Sequence, residues 1–170
     1  IEFLTEADLE LVTFIEPVKY NPVTYLKDPE LIKRAKKLSL SEQAALAENM
    51  SGSQKVHIFY AQKSGCATNT AKLGPEMIPV LKDGNSPQQL SQAFKGRQSF
   101  DVSFDGEKVS FPLPDRTSEV VALMDGNWTF SDIQQELGMN WGDFRQIAGG
   151  VFNLLNSWNI LWLKKDAGSK

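Results

Sequence analysis

The pattern that most restricts this chain lies near its C-terminal end. Phe144, Ile147, Ala148, Val151, Leu154, Leu155 and Trp158 recur at spacings of three and four, the period of one face of a helix. Such a stripe has to be buried against other elements, so a core forms there. The spacing predicts the longest helix over residues 140–156. Two shorter helices precede it. One covers 117–124 and ends at Asp125-Gly126; the other opens at Thr129-Phe130-Ser131-Asp132 and ends at Gly138. Ile160-Leu161-Trp162-Leu163 reads as a final strand, and residues 167–170 as a charged tail. Upstream, Phe100, Val102 and Phe104 alternate with polar residues, Asp105-Gly106 follows, and Val109 and Phe111 resume the alternation. This is a hairpin pattern. Before it, residues 83–87 read as a turn and 88–94 as a short helix ended by Gly96. Three helices and a strand with a hairpin nearby look like a winged-helix-type module, so residues 74–166 are expected to form a winged-helix-like domain of α+β class.

The N-terminal part is organised differently. A short helix is expected over 5–11, opened by Thr5-Glu6-Ala7-Asp8. Leu11-Val12-Thr13-Phe14-Ile15 follows as an apolar, β-branched run stopped by Pro17, which reads as a buried strand. Asp28-Pro29 has the form of a helix start, with Asp at the N-cap and Pro in the first turn. That helix carries Leu31, Ile32, Ala35 and Leu38 on one side and Lys33, Arg34, Lys36 and Lys37 on the other. Ser39-Leu40-Ser41-Glu42 is a capping box opening the next helix, which Ser51-Gly52-Ser53 stops. Residues 56–61 are apolar at nearly every position and predict a strand covered on both faces. Residues 64–74 are small and polar, which marks a boundary. The expected organisation is therefore residues 1–64, a linker over 65–73, and the C-terminal domain.

Composition narrows the function classes. A net charge of −3 gives no general attraction for nucleic acid or anionic membrane. No apolar run approaches the ~20 residues of a membrane-spanning helix. A single cysteine cannot form an internal disulfide, so a cytoplasmic setting is expected. The sequence begins at Ile1 and enters an element almost at once, which raises the expectation that the N-terminal part of a longer protein precedes it.

The only histidine, His57, and the only cysteine, Cys66, lie nine positions apart. A cysteine nucleophile needs a base within hydrogen-bond reach, whereas nine residues of extended chain span up to about 30 Å. His57, between Val56 and Ile58, reads as a structural strand residue and Cys66 as part of the linker. One histidine and one cysteine leave little for a zinc site. Neither a Gly-x-Gly-x-x-Gly pattern nor a Walker-type loop is present. Lys33, Arg34, Lys36 and Lys37 read as a solvated helix face rather than a phosphate site. Gly149-Gly150 reads as a close-packing position. As a DNA-recognition helix, 140–156 offers Arg145 as its only cation with Asp143 nearby, which is poor phosphate neutralisation. Trp128, Trp141, Trp158 and Trp162 read as core residues. No residue is assigned a catalytic, cofactor-binding or metal-binding role.

A resemblance extends this reading. Leu11-Val12-Thr13-Phe14-Ile15-Glu16-Pro17-Val18-Lys19-Tyr20-Asn21-Pro22 is followed by Tyr25-Leu26-Lys27-Asp28-Pro29-Glu30-Leu31, then by Leu46-Ala47-Glu48-Asn49-Met50-Ser51-Gly52 and His57-Ile58-Phe59-Tyr60-Ala61. This order resembles the C-terminal end of a group of bacterial class I S-adenosylmethionine-dependent methyltransferases. In that group the last two strands of a Rossmann-like sheet flank a helical insertion, and a further regulatory module follows. Leu123-Met124-Asp125-Gly126-Asn127-Trp128-Thr129, with Trp141 and Phe144, is similar to the helix–turn–helix part of that module. The resemblance is weakest between Cys66 and Gln98. The family's Gly-rich cofactor loop and ribose-binding acid belong to the N-terminal half, and no position here matches them. The resemblance thus implies a parent enzyme that uses S-adenosylmethionine, with no cofactor site in this chain. It also implies that the helices of 28–50 cap the active site. The implied partners are the catalytic half and a protein substrate or a second copy. Two other functions stay open at this point: a protein-interaction or dimerisation module using its Trp-bearing face, and winged-helix nucleic-acid binding.

Overall fold

The computed structural model of the chain describes residues 2–66, 70–82, 84–104 and 106–165. The chain divides into two compact units, residues 1–69 with 103–109, and residues 70–102 with 110–170. Helices and two-stranded sheets occur side by side, with Leu9–Phe14 pairing antiparallel with Phe59–Lys63 and Met77–Leu81 with Leu161–Lys165, so the class is α+β.

The first unit opens with helix α1, Glu2–Glu6, and strand β1, Leu9–Phe14. The helix expected over 5–11 is therefore displaced. Thr5 to Asp8 is the end of α1 rather than its start: the Ala7 N–H donates to the Phe3 and Leu4 carbonyls at 3.2 and 3.1 Å. Asp8 then takes φ 56°, a left-handed conformation that breaks a helix and that Asp tolerates better than most residues. β1 starts at once, and of its residues only Phe14 is buried, so the fully buried strand expected over 11–15 is corrected to a half-covered one. Two 3-10 turns follow, Pro17–Tyr20 and Pro22–Thr24.

Helix α2, Pro29–Ala35, starts as the sequence predicts, with the Asp28 carboxylate accepting from the Glu30 and Leu31 N–H groups at 2.8 and 3.0 Å. It is two turns long and packs on the Pro22–Thr24 turn, so only Ala35 of the expected apolar side is buried; Leu31 is exposed. Lys33, Arg34, Lys36 and Lys37 are exposed. Helix α3, Leu40–Ser51, carries the predicted capping box, Ser39 with Glu42, and ends at Gly52 in the left-handed conformation that glycine supplies.

Strand β2, Phe59–Lys63, pairs antiparallel with β1, with Phe14 opposite Phe59 and Leu9 opposite Lys63 and an irregularity between Leu11 and Thr13. The expectation of a strand over 56–61 covered on both faces is corrected in both respects. Val56, Ile58 and Tyr60 are 71%, 57% and 51% exposed. A lone pair of strands has too little surface around it to cover two faces. His57 lies just ahead of β2, although the Ile15 N–H still donates to the Ile58 carbonyl at 2.9 Å.

The remaining elements are β3, Met77–Leu81; α4, Pro87–Phe94; β4, Ser99–Phe104; β5, Glu107–Pro112; α5, Thr117–Ala122; α6, Phe130–Glu136; α7, Trp141–Ser157; and β6, Leu161–Lys165. β4 and β5 form the predicted hairpin and alternate in burial along their length. β6 pairs with β3, Leu161 opposite Leu81. α5 stops two residues short of its expected end, and Met124 follows it into the core. That core belongs to the second unit. Phe130 and Phe144 meet edge-on with centroids 6.0 Å apart, among fully buried Val120, Met124, Ile133 and Val151. Burying each such side chain stabilises by about 1.5–3 kcal/mol. Close packing at the glycine pair holds for Gly150 alone: a Cβ there would lie 3.2 Å from the Pro114 Cγ, while one at Gly149 would meet nothing within 4 Å. Trp128, Trp141 and Trp158 pack against the core as expected, whereas Trp162 is 40% exposed. Asp83, Asp105, the tail over 167–170 and residues 67–69 of the expected linker lie outside the described residues. Among the described residues no helix is long and apolar enough to cross a membrane.

Candidate functional site

The first unit carries a cavity of about 800 Å³, open to solvent on one side, between α1, β1, the Pro17–Tyr20 turn, α3 and β2. Its position follows from the strand pair. Phe14, the last residue of β1, faces Phe59, the first of β2, and their rings meet edge-on at 6.3 Å. The turn after β1 then lays Tyr20 flat on Phe14, with centroids 3.8 Å apart and planes 12° from parallel. Phe3 of α1 approaches Phe59 at 6.1 Å. The apolar wall is thus built from aromatic rings fixed by one cross-strand pair and one turn.

The polar part of the lining centres on His57. Its Nδ1 lies 3.2 Å from the Tyr20 hydroxyl, and its Nε2 lies 3.5 Å from a Glu48 carboxylate oxygen. Whether the Tyr20 hydroxyl donates to Nδ1 or accepts from it depends on which ring nitrogen carries the proton. Burial raises the Tyr20 hydroxyl above the usual tyrosine range, and the negative charges of Glu48 and Glu16 add to the effect. The phenol therefore stays neutral. Glu42 also lines the cavity, and its carboxylate accepts from the Ser39 hydroxyl and backbone N–H at 2.7 and 2.8 Å. Those hydrogen bonds hold its carboxyl below the usual range. Glu6 is a further acid of the lining, to which no lysine or arginine contributes among the described residues. Carboxylate, imidazole and phenol thus lie in a row along the wall, in the order Glu48, His57, Tyr20.

Cys66 is not part of this cavity. It is exposed, in a turn after β2 where its N–H donates to the Lys63 carbonyl at 3.2 Å and its own carbonyl accepts from Gln62 at 3.0 Å. The strand β2 separates it from His57, whose partners are Tyr20 and Glu48 instead. Sequence reasoning missed both. A signal existed for Glu48: it lies four residues after the buried Ala44, on the same face of α3. Tyr20 carried no such signal, because its place depends on how a 3-10 turn folds back on β1. Among the described residues no group of three or more His, Cys, Asp or Glu is placed to hold a metal ion.

In the second unit, α7 turns its apolar stripe into the core and leaves Asp143 and Arg145 exposed. The Asn140 side chain caps it, accepting from the Asp143 N–H at 3.0 Å. No protein-family model matches the chain, and no curated protein matches it.

Proposed function

We propose that this chain is the C-terminal regulatory or substrate-recognition region of an S-adenosylmethionine-dependent methyltransferase, and that its first unit completes a Rossmann-like sheet begun by a catalytic half on the N-terminal side. The observation that carries this reading is the exposed face of β2 and its approach. Val56, Ile58 and Tyr60 alternate along one face and are all more than half exposed. Covering a large apolar side chain stabilises by about 1.5–3 kcal/mol, so a strand that leaves a row of them in water fits a sheet with more strands. β1 and β2 also flank the segment that holds α2 and α3, the order in which the family's last two strands flank a helical insertion.

In this reading S-adenosylmethionine is held by the catalytic half, and the residues of this chain recognise and orient. α2 and α3 form the cap over the methyl acceptor. A methyl transfer depends on holding the acceptor in line with the methyl group, which a cap can do without touching the cofactor. The second unit is the winged-helix-like module, with α5, α6 and α7 as its helices and the base of the β4–β5 hairpin, residues 99–102 and 110–112, as its wing strands. The coding sequence in frame with Ile1 tests the proposal. A strand followed by a Gly-rich turn is expected upstream; an in-frame stop codon immediately before Ile1 would contradict it.

A further inference from the structure

We propose that the cavity around His57 is a binding site for a small organic cation, an amine carried on an aromatic or branched apolar body. The site is separate from the face of β2 discussed above, and its assignment does not rest on the methyltransferase reading. Successive residues of an extended chain point to opposite sides. His57 and Phe59 line the cavity, whereas Val56, Ile58 and Tyr60 do not.

Three properties of the lining select the ligand. The first is charge: among the described residues the lining includes Glu6, Glu42 and Glu48 and no lysine or arginine. An anion entering here meets like charge on more than one wall, and a cation meets attraction. The second is the aromatic wall. Phe3, Phe14, Tyr20 and Phe59 all line the cavity, and aromatic rings attract ammonium groups and cover apolar carbon equally well. The third is size. About 800 Å³ lies within the ~300–1,000 Å³ typical of small-molecule sites. The polar groups are held in place before any ligand arrives, Tyr20 and Glu48 by His57 and Glu42 by Ser39. A pre-arranged site loses less entropy on binding than one that has to be ordered.

Calorimetric titration of the chain near neutral pH with phenethylammonium and, separately, phenylacetate tests the assignment. The two probes share a body and differ in the sign of their charge. Saturable binding of phenethylammonium is expected, with phenylacetate at least about tenfold weaker, the ratio that a modest difference in interaction energy gives. Glu48→Gln and Glu6→Gln should each weaken phenethylammonium about three- to tenfold, and narrow its advantage over phenylacetate, with an unchanged far-ultraviolet dichroism spectrum. The assignment is overturned if phenylacetate binds as tightly as phenethylammonium, if neither probe gives a saturable heat, or if both substitutions leave the affinity unchanged.

Discussion

At the scale of single residues, the helix caps and the His57 cluster differ in what holds them. The cap at Thr129 is local: its hydroxyl accepts from the Asp132 N–H at 3.1 Å while the Asp132 carboxylate accepts from the Thr129 hydroxyl and N–H at 2.7 and 2.8 Å. Thr129→Ala should destabilise the chain by about 1 kcal/mol, read as a lower urea midpoint at unchanged slope. These bonds also set a pH dependence. They hold the Asp132 carboxyl below its ordinary value of 3.8, and the hydrogen bonds from Asn127 do the same for Asp125. A carboxyl lowered in the folded state stabilises it above the ordinary value and loses that contribution as the pH falls below it. Stability of the natural chain should therefore drop on acidification through that range. Thr129→Ala should show a shallower drop. Tyr20 has the opposite sign of shift: its raised value favours the folded state below 10.0, and the contribution is lost as the pH rises through and beyond that point. Tyr20→Phe should flatten this alkaline loss. The caps at Asp28, Ser39 and Thr129 were legible in the sequence because donor and acceptor lie within three residues of each other. The partners of His57 were not, because Tyr20 is thirty-seven residues away and reaches it only through tertiary packing.

At the scale of elements, α7 and the β4–β5 hairpin were readable from period alone, 3.6 and 2 respectively. Their boundaries came out within a residue or two of the expected ones, since each pattern ends at a turn signal of its own. α1 was not readable. Thr5-Glu6-Ala7-Asp8 has the composition of a helix start, but the left-handed Asp8 ends a helix that begins earlier. The face of β2 was misjudged for a different reason: an apolar run states that a strand suits a covered position, and says nothing about whether the covering elements are in the same unit. The glycine pair in α7 gives a sharp internal comparison. Gly149→Ala adds a methyl group into open space in a helix interior and should stabilise by about 0.5–1 kcal/mol. Gly150→Ala places its Cβ 3.2 Å from Pro114 and should gain clearly less or destabilise. Thermal unfolding of both variants side by side checks the order. Phe144→Ala, at the centre of the second core, should cost about 3–5 kcal/mol in the same measurement.

At the scale of the whole molecule, the two units differ in how completely they are covered. The second has a core in which many side chains are fully buried. The first has a small cluster around Phe14, Tyr20 and Ala44, and among the described residues it holds the exposed large hydrophobics apart from Trp162. Under the proposed function this apolar row is a surface that a partner covers. Val56→Lys combined with Ile58→Lys should lower the binding of a hydrophobic dye to the isolated chain severalfold and leave its dichroism spectrum unchanged. If the row instead joins two copies of the chain, light scattering will show a mass that rises with concentration and falls back to the monomer value in that double variant. Under the proposed function the covering surface belongs to a catalytic half, and the cofactor site belongs there too. That separation is open to one titration: S-adenosylmethionine added in a calorimeter to this chain and, in parallel, to the chain extended by its native N-terminal sequence. The extended protein should bind the cofactor and the chain alone should give no saturable heat; tight binding by the chain alone, or none by the extended protein, would contradict the proposed role.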